Sequence, residues 1–169
     1  MGGERVECTV CGPHFAPMTA FYGLLPDGTA VIEMAACAGL PLAGKKKNPE
    51  RTTTYGVGQL IMDALDKGAR KFLIGLGGSA TNDGGCGCAA ACGVRFFEAN
   101  GSSFVSSGRN LTDIMAIDRC EIAKIKALKE IAIFKKSLLY GVARLADKVQ
   151  HRRCYREHTP KCALQRVVP

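Results

Sequence analysis

The polar chemistry of this chain is concentrated in one uninterrupted run, Gly77-Gly78-Ser79-Ala80-Thr81-Asn82-Asp83-Gly84-Gly85. Glycines at both ends free the backbone to turn its N–H groups inward, and a helix starting just beyond would add the positive end of its dipole, so an anion is a natural occupant. Ser79, Thr81 and Asn82 add donors and acceptors for a small polar ligand, while Asp83 can hold Mg2+ or accept a proton from a substrate hydroxyl. The plainer alternative is a tight connection in which Asp83 caps a helix. The run is not a Walker A loop, because no Gly-Lys-Ser/Thr closes it. Gly75-x-Gly77-x-x-Ala80 loosely fits the dinucleotide fingerprint, with Glu98 downstream, although the pattern begins inside a strand. An NAD(P)-binding oxidoreductase therefore stands as one alternative.

The flanking sequence says what holds this run in place. Lys71 to Leu76 is a short apolar stretch of the kind found in buried parallel strands. Cys86 to Cys92 is a helix of small residues, and Val94 to Glu98 a further strand, giving a strand, glycine loop, helix, strand order. That is the α/β grammar in which ligands sit at the carboxyl ends of strands. Upstream, Glu4 to Cys11, Met18 to Leu25 and Thr29 to Ala36 read as an antiparallel meander, with Pro26-Asp27-Gly28 as a turn. Lys45-Lys46-Lys47-Asn48-Pro49-Glu50 reads as a solvated corner. Thr52, Thr53 and Thr54 precede a helix marked by Val57, Leu60, Ile61, Ala64 and Leu65, which any of the three can cap. Leu111 to Ile117 is expected as a short strand or turn, and Glu121 to Phe134 has helical periodicity.

Charge is unevenly placed. The 169 residues carry a net +8, yet residues 1–134 hold 14 basic against 13 acidic side chains and residues 135–169 hold 9 against 2. The chain thus divides into an α/β domain over 1–134 and a divergent basic tail over 135–169, expected to be disordered or translated out of frame. The tail offers His151, Cys154, His158 and Cys162 beside Arg152, Arg153 and Arg156, which as a non-enzymatic module would bind zinc or nucleic acid. Pro160 interrupts that register, and nucleic-acid binding is not expected. No apolar run approaches the roughly 18 residues of a membrane span, and Met1 to Cys8 lacks the apolar stretch of an export signal. The nine cysteines are therefore expected as reduced thiols in the cytoplasm. Cys8-x-x-Cys11 falls within a strand, on opposite faces, and Cys86, Cys88 and Cys92 suit core filling.

Three blocks in order identify a family. Pro26-Asp27-Gly28-Thr29-Ala30-Val31-Ile32-Glu33-Met34-Ala35-Ala36, then Asn48-Pro49-x-Arg51-Thr52-Thr53-Thr54-Tyr55-Gly56-x-Gly58, then Gly77 to Gly85, closely resemble type-1 glycerate kinases. The likeness runs from about Glu4 to about Ile131 and covers mainly the inserted α/β domain of a two-domain kinase fold, less than half of a full enzyme. It implies transfer of the γ-phosphoryl group of ATP to a hydroxyl of glycerate with Mg2+, 2-phosphoglycerate being the favoured product, and a possible homo-oligomer. Arg51 to Thr54 and Gly77 to Gly85 would line a cleft. By that resemblance the glycine loop takes phosphate or the glycerate carboxylate, Arg51 an anionic group, and Asp83 the metal or the reacting hydroxyl. Glu33 is open between a structural carboxylate and a cleft residue.

Overall fold

Strict alternation of apolar and polar residues sets the first two strands. In the computed structural model, which describes residues 2–45, 47–119, 121–122, 130–134 and 165–166, β1 (Glu4–Cys11) pairs antiparallel with β2 (Pro17–Leu24) from Glu4 opposite Leu24 to Cys11 opposite Pro17. Val6, Val10, Ala20 and Tyr22 are thereby turned to one buried face, as the two-residue period of a strand requires. Gly28 takes up a left-handed φ of 77°, and Asp27 Oδ1 accepts the Thr29 N–H at 3.0 Å, so the expected turn delivers the chain into β3 (Thr29–Glu33). The meander ends there. β3 pairs antiparallel with β2 but parallel with β4 (Lys71–Gly75), and β4 pairs parallel with β8 (Glu130–Phe134), giving the order β1-β2-β3-β4-β8.

Parallel pairing of β3 and β4 demands a crossover, which α1 (Ala35–Ala38) and α2 (Tyr55–Asp66) supply. The apolar stripe of α2 lies on the sheet: Leu60 and Ala64 are buried against the same core as Ala30, Ile32 and Phe72. Tyr22 is also buried there, and its hydroxyl donates to Asp63 Oδ2 at 2.8 Å. Burial and that bond push the phenol well above its ordinary range. Cys37 sits in this core with its thiol pushed up to about 12, mainly by burial, and Cys8, Cys88 and Cys92 pack around it. The expected filler role of Cys88 and Cys92 holds, and no group of three or more His, Cys, Asp or Glu among the described residues converges as a metal site.

A second, antiparallel sheet runs β6-β5-β7-β9, from β5 (Arg95–Phe97), β6 (Ser103–Phe104), β7 (Ala116–Asp118) and β9 (Gln165–Arg166). The strand expected over Val94 to Glu98 thus exists as β5, in a sheet separate from β4. It follows α3 (Cys86–Ala91), a helix of only six residues. Two expectations are corrected: the strand expected over Thr29 to Ala36 ends at Glu33, with Ala35–Ala38 helical, and the helix expected near the end of the domain is in part a strand. Part of the helix expected over Glu121 to Phe134 is the strand β8, while residues 123–129 lie outside the described residues. Ile131-Ala132-Ile133 is a short apolar run that periodicity alone cannot assign, and pairing along the whole of β4 decides it. In the tail only Gln165 and Arg166 are described, so the His151, Cys154, His158 and Cys162 cluster lies outside. No described helix is long and apolar enough to cross a membrane.

Close approach of α2 and α3 depends on missing side chains. A Cβ at Gly58 would fall 2.7 Å from Ala91 Cβ and collide with the Cys88 carbonyl oxygen. Gly58→Ala is expected to lower the unfolding free energy by about 1–3 kcal/mol through overpacking, read from urea denaturation; an unchanged midpoint would show that the two helices are not held this tightly.

Candidate functional site

The glycine loop leaves β4 at its carboxyl end, beside β3, whose half-buried Glu33 lies in register with Gly75. Its first half is stitched to the segment after β3. Leu40 N–H donates to the Gly78 carbonyl and Ala80 N–H to the Ala38 carbonyl, both at 2.9 Å, and Gly78 has a φ of 72° that a side chain would resist. Ser79 and Thr81 hydroxyls bond one another at 2.9 Å, and Ser79 Oγ accepts the Thr81 N–H at 3.1 Å. Both residues are half-buried, and Asn82 is exposed.

The second half is organised by a carboxylate. Asp83 is 1% exposed, and its Oδ2 accepts from Thr54 N–H at 2.7 Å, Thr54 Oγ1 at 2.8 Å and Gly87 N–H at 3.2 Å, with Thr53 Oγ1 at 3.4 Å. Oδ1 accepts the Gly85 N–H at 3.0 Å. Thr54 Oγ1 in turn accepts the Cys88 N–H at 2.9 Å. The N–H groups at the start of α3 are therefore taken by Asp83 and Thr54, and the anion at the positive end of that helix is the chain's own carboxylate. An external anion would have to use the Gly77 to Asn82 half. A metal ion or substrate hydroxyl would reach Asp83 only by exchanging these bonds.

The three threonines divide the labour. Thr52 Oγ1 donates toward the Ala80 carbonyl at 2.9 Å and the Pro49 carbonyl at 3.0 Å, tying the turn Pro49–Arg51 to the loop. Thr53 Oγ1 donates to the Ser106 carbonyl at 3.1 Å and accepts the Tyr55 N–H at 3.2 Å. Thr54 holds the position before α2, but it is Thr53 whose hydroxyl satisfies the first helical N–H. All three are buried. Arg51 is exposed and forms no ion pair with another described residue.

Two further residues complete the site. Ser106 is fully buried and receives Thr53 through its backbone oxygen. Gly87 approaches so closely that a Cβ would clash with Thr53 Oγ1 and stand 2.7 Å from Asp83 Oδ2. The Ser106 contact is made by backbone, which carries no residue signature, whereas the glycine-rich start of α3 was a usable sign of close approach.

A mixed α/β domain with a glycine loop at a strand's carboxyl end, pinned to the start of a neighbouring helix, has the arrangement in which α/β folds commonly place a ligand. The chain belongs to the glycerate kinase family, whose model matches residues 1–141. It is 49% identical over 118 residues to a glycerate kinase of Bacillus subtilis (strain 168), covering 69% of this chain and 31% of that protein. It is 44% identical over 119 residues to a glycerate 2-kinase of Escherichia coli (strain K12), covering 69% and 31%. A solved chain from Salmonella typhimurium LT2, described as a glycerate kinase 2, superposes with a TM-score of 0.73 at 40% identity, over 77% of this chain and 36% of that one. The chain thus spans about a third of the length of the curated relatives it matches.

Removing the carboxylate should expose how much the loop depends on it. Asp83→Ala strands several buried donors and is expected to cost about 3 kcal/mol or more, with Thr54→Val costing about 1–3 kcal/mol. Chemical denaturation measures both, and a loss under about 1 kcal/mol for Asp83→Ala would mean that solvent replaces the carboxylate without strain.

Proposed function

We propose that this chain serves transfer of the γ-phosphoryl group of ATP to a hydroxyl of glycerate, with 2-phosphoglycerate as the favoured product. The observation that carries the reading is the loop fixed from behind by Asp83, with Asn82 exposed and Ser79 and Thr81 half-exposed on it, in a member of the glycerate kinase family. Phosphoryl transfer asks a protein chiefly for positioning and for neutralisation of charge. A loop whose shape is set by buried bonds meets the first need, because its donors do not have to be ordered when substrate arrives.

In this reading Gly77, Gly78, Ser79, Thr81 and Asn82 hold a phosphate or the glycerate carboxylate, and Arg51 neutralises an anionic group. Gly84 and Gly85 give the loop its second turn, at φ of 61° and 78°. Thr52, Thr53, Thr54 and Asp83 are positioning residues behind it. Mg2+ in such a reaction offsets charge on phosphate oxygens. The described residues do not assemble a cradle for it: no acidic cluster converges among them, and the carboxylate of Asp83 is engaged by the chain's own donors. The same reading places the protein in the cytoplasm, where thiols such as Cys8, Cys11 and Cys86, free in the structure, stay reduced.

The test is direct. The 169-residue chain is titrated with Mg-ATP and with glycerate by calorimetry, alongside a coupled assay of ADP release, with phosphorus NMR to identify the phosphorylated hydroxyl of any product. Saturable binding of at least one ligand is expected, weakened about tenfold or more in Arg51→Gln, the usual scale for a lost charge-assisted bond. Absence of saturable binding of both ligands overturns the proposal.

A further inference from the structure

A short turn from the second sheet reaches the glycine loop and brings a cation with it. The 3-10 turn Gly108–Asp113 begins at a glycine whose added Cβ would stand 2.8 Å from the Pro49 carbonyl oxygen, 2.9 Å from the Asn82 carbonyl oxygen and 3.1 Å from Glu50 Cα. Three separate segments therefore meet at Gly108: the turn carrying Arg51, the exposed point of the glycine loop, and the turn carrying Arg109. Further along the same turn, Leu111 comes within 4.0 Å of the Cβ position of Gly84, so the turn lies along the loop from Asn82 to Gly84.

The backbone around Arg109 is fixed on both sides. Ser106, fully buried, takes the Thr53 hydroxyl on its carbonyl. Ser107 N–H donates to Asn110 Oδ1 at 2.7 Å within a reciprocal capping box. Arg109 itself is exposed and has no ion pair with another described residue. An arginine on an immobilised backbone, next to the exposed end of a polar loop and without a carboxylate partner among the described residues, is placed as a ligand contact is, since its charge is open to an incoming anion.

We infer that Arg109 is a second anion-binding residue of the glycine-loop site, acting with Arg51 beside Asn82 on an anionic group of the ligand, either a nucleotide phosphate or the glycerate carboxylate. The inference rests on the functional reading above and extends it to a residue outside the three blocks that carry the family likeness. A pair of guanidiniums from two different segments confers geometry as well as charge, because each presents a planar fork to the oxygens.

Calorimetric titration of the wild-type chain, Arg109→Gln and Arg109→Lys with Mg-ATP and, separately, with glycerate tests it. For the ligand whose anion Arg109 meets, Arg109→Gln is expected to weaken binding about tenfold, Arg109→Lys to recover part of the loss, and the melting temperature to stay unchanged. The other ligand should change less than about twofold, which distinguishes phosphate from carboxylate. If the wild-type chain binds neither ligand, the functional reading fails and this inference with it. If the wild-type chain binds and Arg109→Gln binds both ligands equally well, the inference alone is overturned.

Discussion

The second half of the loop after β4, and the helices on either side of it, depend on one buried carboxylate. Asp83, at 1% exposure, must find donors to replace the water it gives up, since burying a polar group without partners costs several kcal/mol. The donors come from two places far apart in sequence, the Thr53-Thr54 step before α2 and the Gly85 to Gly87 start of α3. Meeting one electrostatic demand therefore fixes the distance and orientation between two helices. It also sets the path of the loop between them, because the loop must deliver Asp83 to that point.

The composition of the neighbouring segments follows from the same demand. For the carboxylate to reach the backbone of both helices, the helices must touch almost without side chains between them, and this explains Gly58 on α2 and the Cys-Gly-Cys-Ala-Ala-Ala sequence of α3. Six residues of small side chains have too little apolar surface to hold a helix in place by burial alone. The Asp83 and Thr54 bonds to its first N–H groups contribute what burial does not. Stability and site geometry are thus coupled: loosening the α2 to α3 contact would also release the loop.

Much of this was legible in the sequence, and the exceptions have physical causes. The meander, the helix of Val57 to Leu65 and the buried strand of Phe72 to Ile74 announce themselves because each has one apolar period and one partner surface. The likeness to glycerate kinases rested on blocks whose spacing is fixed by the loop, and the comparisons bear it out. Glu130–Phe134 is ambiguous in sequence because Ile131 ends a helical series with Ile122, Ile125 and Leu128 and also begins an alternation with Ile133, and only pairing with β4 distinguishes the two. The surroundings of Asp83 were not legible either. Its residue type announces a charge, but whether that charge faces a ligand or the chain's own N–H groups depends on tertiary approach. The sequence hint was the glycine at position 87, where a side chain would have excluded the carboxylate.

The partition of the loop also bears on how a chain with a formal charge of +8 would choose a small anion. Most of the excess lies in residues 135–169, while the part that holds the site is nearly balanced, with 14 basic and 13 acidic side chains over residues 1–134. Exposed charges more than about 8 Å apart are largely screened at physiological ionic strength, so a small anion at the loop responds mainly to the charges next to it. Selection must rest on local groups. The one carboxylate within the loop is already hydrogen-bonded by buried donors, and the exposed cations beside it, Arg51 and Arg109, have no acidic partner among the described residues. In the proposed reading, such a site discriminates by where the oxygens of an anion fall between the two arginines and the backbone of Gly77 to Asn82. Discrimination by geometry suits a reaction that must present one particular hydroxyl to a phosphoryl group, because charge alone would accept any anion in any orientation.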